Sequence, residues 1–231
     1  ARFSLTLVVP EGWAALANGE GTVTLGDAGS TTYQFADTAP IPSYLFAFAV
    51  GEFRVEVAER AGRTLRMFHR ETDAEKVARN RDAIFDLHGM ALDWLEDYTG
   101  IAYPFGKFDF ALIPPFQYGG MEHPGAIFYR ESGLMLEESA TQAHQLGRAS
   151  LIAHETAHMW FGNLVTMHWF DDVWTKEVFA NFMAAKIVRP AFPAVNHDLR
   201  FVLAHHDTAY GVDRTAGANS IRQPLENLNE A

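Results

Sequence analysis

Two histidines and a glutamate in the second half of the chain have the spacing of a metal site. His154 and His158 are four residues apart, and Glu155 follows His154. On a helix, residues i and i+4 lie on one face, so both imidazoles can reach one metal ion while Glu155 approaches a water on it. This pattern is typical of zinc peptidases, with two nitrogen ligands and one general base. The alternative is an amphipathic helix that carries two histidines by chance.

A catalytic zinc ion usually has three protein ligands and one open position, so the pattern needs a third ligand. Eighteen residues separate His158 from Glu177, which lies where the next helix is expected to begin. A tight reversal between the two helices could bring Glu177 against the histidine pair. The alternative is an exposed carboxylate in the first turn of a helix, where the helix dipole favours a negative charge.

The stretch from His154 to Phe182 resembles the zinc-binding core of the aminopeptidase N family, the gluzincin aminopeptidases. The family pattern of His-Glu-x-x-His, eighteen residues and Glu is matched here, and so are residues 160–166 (Trp-Phe-Gly-Asn-Leu-Val-Thr) and 169–174 (Trp-Phe-Asp-Asp-Val-Trp). A second family motif, Gly-x-Met-Glu-Asn, has its likeness at residues 119–123, with Glu122 standing 32 positions before His154. Two separated motifs in the right order argue against chance agreement.

The resemblance implies one zinc ion per chain, bound by His154, His158 and Glu177, with Glu155 as the general base. It implies that Glu122 binds the free amino terminus of a peptide substrate, since a carboxylate and an ammonium form a charge-assisted hydrogen bond.

The residues before Glu122 fit that role on their own chemistry. Gly119 and Gly120 lack side chains, so a substrate backbone could lie against them and Met121 as an added strand. The alternative is a glycine turn followed by a solvated glutamate.

The sequence departs from the family pattern at three positions around these motifs. His123 replaces the usual asparagine, and Lys176 and Val178 replace the asparagine and glycine that commonly flank the third ligand. We expect Val178 to narrow the packing beneath the site and Lys176 to place a cation beside a ligand. None of the three removes a ligand.

Two functional parts of the family are expected outside the chain. The tyrosine that binds the oxyanion in the family would fall just past Ala231, and Tyr210 is too close to Glu177 to match it. A second polar residue that binds the substrate amine would fall before Ala1. Because the chain also begins within a strand pattern, we expect it to be an internal fragment.

The pattern of strands and helices expected around these residues predicts an α+β fold. Residues 1–69 read as short strands, and the resemblance makes them the end of an N-terminal β-sandwich, the saddle-like domain of the family. Residues 70–231 resemble the first half of a thermolysin-like mixed α/β catalytic domain. The periodicity predicts strands near 3–9, 22–25, 31–35, 44–57, 64–69, 108–113 and 126–129, and helices near 75–98, 141–162, 173–189 and 194–209.

Composition excludes several classes of protein. The net charge of −11 disfavours nucleic-acid binding, because the chain repels phosphate backbones. The absence of cysteine excludes disulfide scaffolds and thiolate zinc sites. No stretch approaches the roughly 20 apolar residues of a membrane helix. Compartment and oligomeric state stay open.

The sequence therefore predicts a zinc aminopeptidase that acts on peptides with a free amino terminus. Two alternatives stay open. One is an epoxide hydrolase of the leukotriene hydrolase branch, which residues 119–122 followed by Pro124 also resemble. The other is a binding module that captures peptide amino termini without turnover. His205 and His206 are not expected to bind metal, because neighbouring residues on a helix point about 100° apart.

Overall fold

Two small antiparallel sheets occupy the N-terminal part of the chain. The computed structural model describes residues 1–26 and 29–226. Strands β1 (Leu5–Pro10), β3 (Gly21–Leu25) and β4 (Ser30–Phe35) form one sheet with β4 in the centre, and β2 (Ala14–Ala17) pairs with β5 (Phe48–Gly51) in the other. Strand β2 was not predicted, because its Ala-Ala-Leu-Ala sequence has no alternation of apolar and polar residues.

The segment over residues 44–57, predicted as one strand, is divided into three parts. A 3-10 turn at Ser43–Leu45 precedes β5, and the next strand begins only at Arg54. The side chain of Asn18 accounts for the break before β5, because its amide nitrogen donates to Leu45 O (3.0 Å) and its oxygen accepts from Ala47 N (2.8 Å). These backbone groups are therefore satisfied by a side chain instead of a neighbouring strand.

A mixed five-stranded sheet forms the centre of the protein. Its strands are β6 (Arg54–Arg60), β7 (Arg63–His69), β8 (Phe108–Ile113), β9 (Gly120–Met121) and β10 (Ile127–Arg130), in the order β6-β7-β8-β10-β9. β7, β8 and β10 run parallel, whereas β6 and β9 are antiparallel edge strands. The domain division at residue 69 stays a prediction, and this pairing argues for an earlier boundary because β6 and β7 share the sheet with β8.

Three long helices lie beside this sheet. They are α1 (Ala74–Thr99), α3 (Gln142–Ala157) and α4 (Val173–Ala191). α1 and α3 contact strands of the sheet, whereas α4 packs mainly on α3. α1 begins at Asp73, whose side chain accepts from the backbone N–H groups of Glu75 and Lys76, and it ends at Gly100 with φ 66°. The described residues also contain the helical segments α2 (Glu131–Leu134), a 3-10 turn (Phe170–Asp172), α5 (His197–Phe201), a π-helical stretch (Val202–His206) and α6 (Asp207–Asp213).

One large apolar core lies between the sheet and the long helices. It joins strand residues such as Phe110 and Tyr129 to Phe85 of α1, Ile152 of α3 and Ile187 of α4, all fully buried. The predicted α+β class is confirmed. In the described part of the chain, no helix combines the length and apolar composition that a membrane span needs.

Candidate active site

Helix α3 carries both histidines of the sequence pattern to one place, as the i and i+4 spacing predicts. The Nε2 atoms of His154 and His158 lie 3.0 Å apart. The helix ends sooner than the predicted 141–162, because His158 is already its C-terminal cap. The following residues turn sharply through Gly162, whose φ of 140° is unfavourable for a residue with a side chain.

The opposite nitrogen of each imidazole ring has an acceptor. His158 Nδ1 donates to Phe161 O (3.1 Å), a carbonyl that the turn after α3 supplies. His154 Nδ1 contacts Asn181 Oδ1 of α4 (3.1 Å). These contacts favour the tautomer with the proton on Nδ1, so both Nε2 lone pairs face the same point. Asn181 was missed in the sequence, although its position four residues after Glu177 on one helix was a usable signal.

Helix α4 adds the carboxylate of Glu177 to this point. Its Oε2 lies 3.3 Å from His154 Nε2 and 3.6 Å from His158 Nε2. Burial alone would raise the pKa of the Glu177 carboxyl, but the neighbouring His154 and His158 and the charge of Lys176 hold it well below its usual range. Glu177 lies near the start of α4, as expected, but in its second turn, because α4 begins at Val173; the alternative of a first-turn carboxylate is therefore wrong.

The donor set fits a divalent cation. The ligand atoms of His154, His158 and Glu177 lie within 4.8 Å of one another. Two imidazole nitrogens and one carboxylate oxygen are the ligands that a catalytic zinc ion prefers. The convergence of two lone pairs and an anion without a donor between them is unfavourable unless a cation is present.

Glu155 lies on the same turn of α3 but points to the sheet. Its side chain packs against β9, where a Cβ atom at Gly120 would be only 2.5 Å from Glu155 Cδ and 2.6 Å from Cγ. Burial raises the pKa of the Glu155 carboxyl to about 8. A base in this range is matched to proton transfer near neutral pH.

The Gly-Gly-Met-Glu segment forms one wall of the site. Gly120 and Met121 make up β9, the edge strand, which is hydrogen-bonded to β10 on one side only. Glu122 follows, and Asn163 Nδ2 donates to its carbonyl oxygen (2.7 Å). The sequence analysis did not identify Asn163 as a site residue, because the local sequence does not show that its side chain contacts a residue 41 positions away.

Glu122 is buried and already has a partner. Its Oε1 forms an ion pair with Lys176 Nζ, and both side chains are 4% exposed. Burial opposes ionisation of Glu122, but His158 and Lys176 outweigh it and lower the pKa. His123 points away from this pair, since its Nδ1 contacts Leu45 O (3.2 Å).

These residues surround a small open cavity of about 280 Å³. All the predicted site residues except Gly119 line it, together with three further residues: Tyr118, Val173 and Lys176. Gly119 instead accepts a hydrogen bond from Arg130 N (2.8 Å) through its carbonyl oxygen, which holds the wall in place. The expectation for Val178 is wrong, because this side chain is 55% exposed and lies outside the cavity lining.

The sequence was compared with families and curated proteins. The model of the peptidase family M1 domain matches residues 84–231. The chain belongs to peptidase family M1. This M1 chain is 34% identical over its whole length to a puromycin-sensitive aminopeptidase of Caenorhabditis elegans, of which it covers 24%. It is 33% identical over its whole length to a leucyl aminopeptidase of Saccharolobus solfataricus, covering 29%, and 35% identical over 80% of its length to aminopeptidase N of Streptomyces lividans, covering 21%. It thus spans about a quarter of the length of these curated relatives.

Other candidate residues of the M1 chain lie outside the cavity lining. Asp171 and Asp172 form ion pairs with Arg222. His206 is exposed, and its ring stacks on Tyr210 with ring centroids 4.7 Å apart.

Proposed function

We propose that this M1 chain carries the zinc site of an aminopeptidase that removes N-terminal residues from peptides. The observation that carries the proposal is the convergence of His154, His158 and Glu177 beside two buried carboxylates in one cavity. Membership of a peptidase family supports peptide hydrolysis, and the printed names of the relatives support cleavage at the amino terminus.

His154, His158 and Glu177 would hold one zinc ion per chain. When bound, zinc lowers the pKa of a coordinated water and polarises a carbonyl oxygen. The chain's own contribution is to fix the ligands, through Phe161 O on one ring and Asn181 Oδ1 on the other. Such contacts to the ligands set the ring orientation and raise metal affinity.

Glu155 would act as the general base and then as the general acid. Its carboxyl takes a proton from the attacking water and delivers it to the leaving amine. The contact with Gly120 keeps the carboxylate in one orientation, because the wall leaves it little room to turn. Burial raises the pKa of this carboxyl above its usual range, which makes it a stronger proton acceptor than an exposed glutamate.

Glu122 would bind the substrate's amino terminus, and β9 would bind its backbone. The free edge of β9 offers backbone groups to an extended peptide, which can add to the sheet as a further strand. A buried carboxylate at the end of that edge favours an ammonium group there. This arrangement sets which peptide bond reaches Glu155.

The test is hydrolysis of a short unblocked peptide by the intact protein, with and without a chelator. We expect hydrolysis that the chelator abolishes, and a loss of about 10²–10⁴-fold in kcat for Glu155→Gln. Glu138→Gln on an exposed position is the matched control and should leave kcat unchanged. Binding of the peptide without hydrolysis would favour a binding module, and hydrolysis of an epoxide alone would favour the epoxide hydrolase branch. Either result contradicts the proposal.

A further inference from the structure

The ammonium of Lys176 occupies the position where a substrate amine would be bound. Lys176 Nζ pairs with Glu122 Oε1 and lies 3.3 Å from Glu177 Oε1, so it bridges two carboxylates of the site. It also lies 5.1 Å from the centre of the Tyr44 ring, which adds a cation–π contact. A primary ammonium held between carboxylates and an aromatic face has the chemistry of the ligand expected there.

This ion pair is inside the protein and is therefore strong. Both side chains are 4% exposed, so water screens the attraction between them only weakly. Lys176 comes from the first turns of α4, directly before Glu177, and its backbone cannot move away without displacing that carboxylate. An incoming amine must therefore share Glu122 with Lys176 or displace it, and the two ammonium groups repel each other.

We propose that Lys176 is an internal competitor for the substrate's amino terminus and reduces the preference of this site for free over blocked amino termini. The inference rests on the proposed role of Glu122 as the amine-binding carboxylate. It identifies the substrate class: peptides with an acylated, uncharged amino terminus bind almost as well as those with a free α-ammonium. Lys176 is thus a specificity-determining residue, although it is not expected to touch the reacting atoms.

The test compares the dissociation constants of one tripeptide amide in its free and its N-acetylated form. Binding is measured by calorimetry or by NMR titration on the zinc-loaded protein carrying Glu155→Gln, so that no turnover occurs. We expect this protein, with Lys176 in place, to discriminate weakly between the two peptides. Lys176→Met keeps the aliphatic length and removes the charge, and it should raise the preference for the free amine by about tenfold, the value of one charge-assisted hydrogen bond.

The matched control is Lys186→Met, which removes the same charge from the same helix. Lys186 lies over the ring of Phe182 outside the cavity lining, so this variant should leave the preference unchanged. Lys176→Gln provides a second variant in case the methionine variant does not fold, and circular dichroism checks both. An unchanged preference in the folded Lys176 variants would overturn the inference. It would also be overturned if neither peptide bound to these variants.

Hydrolysis is measured separately on the zinc-loaded protein, which keeps the two proposals distinguishable. A raised preference in Lys176→Met without any hydrolysis would contradict the proposed function and support the competitor. Normal hydrolysis of the free peptide with an unchanged preference would overturn the competitor and leave the proposed function intact.

Discussion

Adding a single methyl group at Gly120 is expected to inactivate the site without touching a metal ligand. Gly120 lies in β9 against the side chain of Glu155, and the Cβ atom of Gly120→Ala would lie 2.5 Å from Glu155 Cδ and 2.6 Å from Cγ. Carbon atoms pack best at about 3.5–4.0 Å, so the carboxylate or the strand must move by about 1 Å. Because Glu155 is buried, it cannot simply swing into solvent.

The expected magnitude follows from this displacement. A misplacement of about 1 Å in a reacting group can cost about 100-fold in rate, which corresponds to about 2.7 kcal/mol in the activation barrier. The three atoms nearest to the new methyl group all belong to Glu155, and none belongs to a proposed ligand. We therefore expect kcat/KM for an unblocked peptide to fall about 100-fold while the zinc content stays the same.

The assay measures kcat/KM and bound zinc on the same preparation of Gly120→Ala. Gly147→Ala is the matched control, because Gly147 lies on α3 with open space where its Cβ would be. Alanine in a helix is favoured over glycine, so this control should be active and slightly more stable. Unchanged kcat/KM in Gly120→Ala would refute the claim that the wall of β9 positions the base.

Two further predictions follow from the contacts around the site, and a third follows from His88, a buried histidine of α1. Glu155→Gln should keep its zinc and lose turnover, measured by metal analysis beside a peptide assay; loss of the metal would show a ligand role instead. Asn181→Ala should weaken zinc affinity by about tenfold in a chelator competition, because His154 loses the acceptor on its Nδ1. Stability should fall as the pH drops from 6.5 towards 4, by up to about 3 kcal/mol from His88, whose pKa burial lowers to about 4. As the pH is lowered, the unfolded state binds that proton before the folded state does. The urea concentration at the unfolding midpoint should therefore decrease as the pH decreases, and this decrease should be smaller in His88→Gln.

The sequence was sufficient to predict the helices in which apolar residues recur regularly. The helices around residues 75–98 and 173–189 were predicted close to α1 and α4, because long amphipathic patterns leave few alternatives. The break before β5 was not predictable, since it depends on the Asn18 side chain, which lies 27–29 positions away in the sequence. A contact between residues so far apart in the sequence leaves no pattern in the local sequence of either residue.

The site shows the same limit. The spacing of His154, Glu155, His158 and Glu177 predicted a cluster, and the side chains do converge, although their roles stay predictions. The sequence showed a lysine at position 176 but not its ion pair with a carboxylate 54 positions away. The sequence shows that a residue is charged, but only the fold shows which residue it pairs with.

The central claim is that His154, His158 and Glu177 bind one zinc ion. The most direct test is elemental analysis of the purified, exhaustively dialysed protein, with His158→Ala as the site variant and His205→Ala as the control at an exposed histidine. We expect one zinc per chain in the wild type and in His205→Ala, and none in His158→Ala. A folded wild-type protein without zinc, or His158→Ala with a full equivalent, would contradict the account.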